Sequence, residues 1–181
     1  FTVSAGKARD KADGADMTLA ALVTVSTGSV GALGYERKTL TGTITLSSGG
    51  ASATGTGTAF LPEFGTRALT GTCTVAGAAV TGTGTKFLSE VAVGDLIGSA
   101  SAGYQRVTSI ESDTGLTIGP VTGLAGTAAS FSVVEQPILE TAGGQRVALS
   151  YITDNTTLGL WPNTWASSET GVACYATARI A

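Results

Sequence analysis

Leu40-Thr-Gly-Thr-Ile-Thr-Leu46, followed by Thr54-Gly-Thr-Gly-Thr-Ala-Phe-Leu-Pro-Glu-Phe64, returns further along as Leu69-Thr-Gly-Thr-Cys-Thr-Val75, followed by Thr81-Gly-Thr-Gly-Thr-Lys-Phe-Leu-Ser-Glu-Val91. The first string of each copy alternates apolar residues with Thr, the period of a strand with one buried face. Thr suits the outward face, because its branched Cβ favours extended backbone while its hydroxyl meets water. The recurring Gly residues mark turns and bulges. The second copy is two residues shorter between its strings, a loss that a hairpin turn absorbs. Internal repetition takes precedence in assigning a fold. Here it predicts an all-β chain with no long helix after residue 40.

A second repeat follows. Gln105-Arg-Val107, Ile110, Asp113, Thr114, Leu116, Ile118 and Pro120 match Gln145-Arg-Val147, Ile152, Asp154, Thr156 or Thr157, Leu158, Leu160 and Pro162, and Phe131 matches Tyr175. The order is therefore front half, front half, back half, back half. The economical expectation is two related small β-barrel or β-sandwich modules, one inserted in the other. The outer module takes 39–68 plus 137–181, the inserted module takes 69–136, and 1–38 is an extended N-terminal arm. A rival is partial duplication, each back half pairing elsewhere, including on a neighbouring subunit. Modules of about 70 residues hold modest cores and are often stabilised by a neighbour or by oligomerisation, so a homo-oligomer is expected.

Composition narrows the function. Gly, Ala, Thr and Ser fill 99 of the 181 positions, charged residues are 13% and hydrophobic residues 43%, enough for a core and too little charge for a disordered polyelectrolyte. No apolar run approaches the ~20 residues of a membrane span, so no membrane partner is expected. A net charge of −3 with ten scattered basic residues argues against nucleic acid, which is held by clustered Lys and Arg. Histidine is absent, which removes the commonest general base and the usual zinc ligand. The start, Phe1-Thr-Val-Ser-Ala-Gly-Lys7, lacks the charged and then apolar pattern of a secretory signal.

The chemistry-bearing candidates read mostly as architecture. Thr-Gly-Thr-Gly-Thr lacks the third Gly of a dinucleotide fingerprint and the Gly-Lys-Ser/Thr of a phosphate loop, so nucleotide binding is set aside. Glu63 and Glu90 occupy equivalent places in the repeat, which suggests a structural duty over a glycan-cleaving pair. Asp95, Asp113 and Asp154 read as turn-forming acceptors, there being no Asp-x-Asp-x-Asp loop for calcium. Cys73 stands where the other copy has Ile44, the place of a small buried hydrophobe, and spacing alone does not decide whether it meets Cys174. No cofactor is expected. Two groups are candidates for partner binding. Lys7, Arg9 and Lys11 lie in the charged arm, a kind of segment that orders on a partner surface. Trp161 and Trp165 offer large contact area for a partner or a host glycan, or else fill the outer core or an oligomer interface.

Thr81-Gly-Thr-Gly-Thr-Lys-Phe-Leu-Ser-Glu-Val-Ala-Val-Gly-Asp-Leu-Ile97, with Val107-Thr-Ser-Ile-Glu-Ser-Asp-Thr-Gly-Leu-Thr-Ile118, resembles a small β-module of tailed-bacteriophage structural proteins. In that family such modules occur in capsid decoration proteins, head or neck fibres and tail-associated proteins. The resemblance covers 69–134, and 39–64 plus 137–180 in degenerate form; the outer copy lacks a Val-Gly-Asp after Phe64. It implies a non-enzymatic virion protein, most simply a capsid decoration or cement protein whose partners are other virion subunits. A neck or tail fibre, a tail-tube component and a carbohydrate-binding adhesin are the alternatives.

Overall fold

The alternation of Thr with apolar residues plays out as the pleat demands. Ile44 and Leu46 point inward and Thr45 outward, and Val80 is buried between exposed Ala79 and Thr81. The computed structural model describes residues 7–9, 16–18, 35–119, 124 and 126–179. Its first elements are β1 (Lys7–Arg9), β2 (Asp16–Thr18), β3 (Tyr35–Thr39), β4 (Thr43–Leu46), β5 (Ser52–Thr56) and the one-turn helix α1 (Phe60–Phe64). Then come β6 (Arg67–Ala68), β7 (Thr72–Ala76), β8 (Ala79–Thr83), α2 (Phe87–Glu90), β9 (Leu96–Ser99), β10 (Gly103–Ser112), β11 (Gly115–Gly119), β12 (Gly126–Ala129) and β13 (Ser132–Val134). The last are β14 (Ile138–Thr141), β15 (Arg146–Ala148), β16 (Tyr151–Ile152), β17 (Thr157–Gly159), β18 (Glu169–Val172) and β19 (Cys174–Arg179). The chain is all-β in antiparallel sheets, and no helix among the described residues is long and apolar enough to cross a membrane.

Two pairing paths run in the same order. In one, β4 pairs β5, β5 pairs β17 and β17 pairs β16; β15 pairs β14, β14 pairs β19, and β19 and β18 return to β3 and β4. In the other, β7 pairs β8, β8 pairs β11, β11 pairs β10 and β10 pairs β9; β9 pairs β13, and β13 and β12 return to β6 and β7. The paths meet where β10 pairs β16, Tyr104 opposite Ile152 and Gln105 opposite Tyr151.

Two hydrophobic cores accompany the two paths. The first draws on residues 40–61 and 139–176, with Phe60, Leu139, Leu149, Leu158 and Trp165 at its centre. The second lies within 69–133 around Phe87, Val107, Leu116 and Phe131. Leu96, Tyr104 and Val134, although within the middle stretch, belong to the first core. The reason is the period of two. On the paired strands β9 and β13, Ile97 and Val133 face one core, so their neighbours Leu96 and Val134 face the other.

The hydrogen bonds also set the register of the repeat. The Leu40 N–H donates to the Cys174 carbonyl and the Leu69 N–H to the Phe131 carbonyl, so Phe131 corresponds to Cys174 and not to Tyr175. In the back halves, Ile110 lies opposite Leu116 as Ile152 lies opposite Leu158. Carried along β10, this register sets Val107 against Leu149 and Arg106 against Ala148. The Gln-Arg-Val match of 105–107 with 145–147 is therefore two residues out of step. Ile97 confirms the step: it is opposite Gln105, and its counterpart Leu139 is opposite Val147. Asp113 likewise corresponds to Asn155, one residue past the Asp154 that the sequence offered.

Within the segment read as an extended arm, β1 pairs antiparallel with β2, Lys7 opposite Thr18 and Arg9 opposite Asp16. Pairing satisfies backbone N–H and C=O groups that an isolated extended chain leaves to water. Lys11 lies outside the described residues.

Candidate functional site

The carboxylates singled out by sequence bind backbone. Glu63 accepts hydrogen bonds from the Thr41 N–H at 2.9 and 3.1 Å and from the Thr41 hydroxyl. Glu90 accepts from the Thr70 N–H at 3.0 Å and from the Thr70 hydroxyl. A cation completes each arrangement: Lys38 Nζ donates to the Glu63 carbonyl and Arg67 Nη2 to the Glu90 carbonyl. The Thr70 hydroxyl, then its N–H, holds the Glu90 carboxyl below the usual range. Beside each latch the chain turns at Gly42 and Gly71, with φ of 76° and 78°, where a Cβ would collide with the Thr56 or Thr83 carbonyl.

A second matched set ties each helix to the opposite hairpin. The Leu61 N–H donates to Asn155 Oδ1 at 3.0 Å and the Leu88 N–H to Asp113 Oδ1 at 3.0 Å. The Thr58 hydroxyl donates to the Asn155 carbonyl at 2.7 Å, and the Thr85 hydroxyl to the Asp113 carbonyl at 2.6 Å. Each of these hydroxyls occupies the space a Cβ would need at Gly55 or Gly82, which explains the Thr-Gly-Thr-Gly-Thr string. Asp154 accepts from the N–H and hydroxyl of Thr156, an Asx turn. Asp95, buried, accepts from Ala92 N–H at 2.8 Å and Gln136 N–H at 3.1 Å; burial pushes its carboxyl up.

Cys73 and Cys174 are free thiols in separate cores, each pushed up to about 11 by burial, Cys174 also by the Glu63 charge. Thiols so held carry little nucleophilic thiolate at neutral pH. Among the described residues no cluster of three or more His, Cys, Asp and Glu could hold a metal ion.

The tryptophans divide. Trp165 is 1% exposed and packs in the first core, which withdraws it from the partner-binding surface. Trp161 is 49% exposed and stands over a groove of about 710 Å³. Arg106, Arg146, Val147, Ser150 and the loop Trp161–Thr164 line it. The Trp161 N–H donates to Ser150 Oγ at 2.9 Å and the Ser150 hydroxyl donates to the Trp161 carbonyl at 2.9 Å. Sequence reading missed both arginines. Its misaligned Gln-Arg-Val match made them look like copies of one architectural position; in the correct register Arg106 stands against Ala148, and that departure is the signal that marks it.

No family model, curated protein or solved structure matches the chain.

Proposed function

We propose that the protein is a non-enzymatic bacteriophage virion component, a capsid decoration or cement protein bound to neighbouring virion subunits. In this reading each pairing path closes into a small barrel, one module inserted in the other, with 1–38 as the attachment segment carrying Lys7, Arg9 and Lys11. Closure removes exposed sheet edges, an advantage for a subunit packed beside copies of itself. The observation that carries the proposal is the duplicated latch: Glu63 with Thr41 and Glu90 with Thr70, then Asn155 with Leu61 and Asp113 with Leu88. Side chains that would otherwise be candidates for chemistry hold hairpins and helices in place, as a stiff building part requires. Electron cryomicroscopy of the parent particle tests this. Density for the chain at symmetry-related positions on the capsid is the expected result; density confined to the neck or tail would replace the capsid assignment with the fibre or tube alternative.

The adhesin alternative has one observation in its favour, the half-exposed Trp161 above a groove. A glycan-array signal lost in a folded Trp161→Ala protein would support it.

A further inference from the structure

We propose that the groove under Trp161 binds an acidic saccharide, Trp161 lying against a sugar ring and Arg106 and Arg146 recognising its carboxylate. The inference deepens the adhesin reading and is independent of where in a particle the protein sits.

The repeat supplies the first argument. Positions at which the two copies agree are accounted for by the fold, as Thr58 with Thr85 and Leu116 with Leu158 show. The groove is built where they disagree. In the register that pairs Ile110 with Ile152, Trp161 has Gly119 as its counterpart and Arg106 has Ala148. Gly98 opposite Tyr104 and Glu140 opposite Arg146 make Tyr104 the counterpart of Arg146. Three chemistry-bearing side chains whose counterparts carry different chemistry thus converge on one concavity, Arg106 coming from β10 and the other two from the chain that packs on the first core. The seam between β10 and β16 creates it, and neither half alone would contain it.

Charge and shape supply the rest. Two of the chain's six arginines line the groove and no Asp or Glu does, in a molecule whose net charge is −3. A guanidinium fork matches a carboxylate in plane and in spacing, and it is more weakly hydrated than an ammonium, so it gives up less on binding. Arg106 Nη1 also donates to the Leu149 carbonyl at 3.3 Å, which orients the group. The volume of about 710 Å³ falls in the ~300–1,000 Å³ range of small-ligand sites. The Trp161 ring lies against Gly119, where a Cβ would come within 3.1 Å of Cζ3, and its backbone is held at both N–H and C=O by Ser150. A fixed aromatic face costs little ordering when a ligand arrives. The apolar face of a pyranose suits that ring, and Asn163 and Thr164 on the rim offer partners to its hydroxyls.

The test is isothermal titration calorimetry of the full chain with trigalacturonic acid, maltotriose and inorganic phosphate. Trigalacturonic acid should give a saturable change that weakens as salt rises, with maltotriose and phosphate at least roughly tenfold weaker. Arg146→Gln, at an exposed position, and Trp161→Ala should each weaken binding by roughly tenfold while far-ultraviolet circular dichroism stays unchanged. Equal binding of maltotriose would overturn the charge assignment and leave the glycan reading standing. Phosphate binding as tightly as trigalacturonic acid would reduce the groove to a general anion site and overturn the proposal. Absence of any saturable response would sink both this inference and the adhesin reading.

Discussion

Leu61 and Leu88 each follow a buried Phe at the start of a one-turn helix, yet Leu61 is 9% exposed and Leu88 64%. Their backbone N–H groups make the same hydrogen bond, to Asn155 and to Asp113. The two regions therefore share local construction and differ in what surrounds it: Leu61 is part of the first core, while Leu88 faces solvent. Identical dipeptides at the start of matching one-turn helices acquire different burial from the fold. Residues whose partners recur in both halves are architectural, and those that lack a counterpart report on context.

Substitution at the two helix anchors gives the largest expected effect on that comparison. Phe60 and Phe87 are fully buried in separate cores, and replacing either with Ala should destabilise by about 3–5 kcal/mol. Denaturant unfolding followed by circular dichroism measures the loss. Equal shifts of a single transition are expected, because β9 and β13 serve both cores; a transition that splits in only one variant would show the cores to be independent.

Asp95 should come next. Asparagine can accept at only one side-chain oxygen, so Asp95→Asn leaves either the Ala92 or the Gln136 N–H poorly paired and should cost about 1–3 kcal/mol. The pH dependence has a definite sign. Burial raises the folded-state value of Asp95, so its favourable contribution is present below the unfolded-state value and is lost as pH rises through the raised folded one. Glu90 works oppositely: its value is lowered, so its contribution is present above the ordinary carboxylate range and fades as pH falls through the lowered value. Across pH 3 to 8, Asp95→Asn should therefore abolish the loss of stability that Asp95 causes as pH rises through its raised value, and Glu90→Gln should abolish the loss that Glu90 causes as pH falls.

The smallest effect is expected at Asp113. Its counterpart Asn155 accepts the same helix N–H with a neutral amide oxygen, and the second contact is to a backbone carbonyl in both, so Asp113→Asn should change stability by no more than about 0.5 kcal/mol. A loss of several times that would mean that charge matters in one half and not in the other, and the equivalence of the two halves would fail there.

Much of the front-half scheme was legible because it is local. The strings from Leu40 and Leu69 align residue for residue, and the equivalence of Glu63 with Glu90 and of Cys73 with Ile44 follows from them. The back halves were harder. Gln105-Arg-Val107 and Gln145-Arg-Val147 look alike, but the buried residue that must answer Val107 is Leu149, and only strand pairing reveals the two-residue slip. A slip of two keeps every side chain on its original face, so hydrophobic alternation cannot detect it. The groove was hidden for the same reason, since both arginines were absorbed into a false match.

Sequence by itself determined the all-β class, the alternation of each hairpin and the glycine turns, because the pleat, the left-handed turn and the β-branched side chain act over a few neighbouring residues. Tertiary structure alone decided that β9 and β13 feed two cores, that Trp165 is inside while Trp161 is out, and that Arg106 and Arg146 face one groove. Those outcomes depend on which distant strands pair and in what register, a choice made by the summed burial and hydrogen bonding of the whole chain and by no single segment of it.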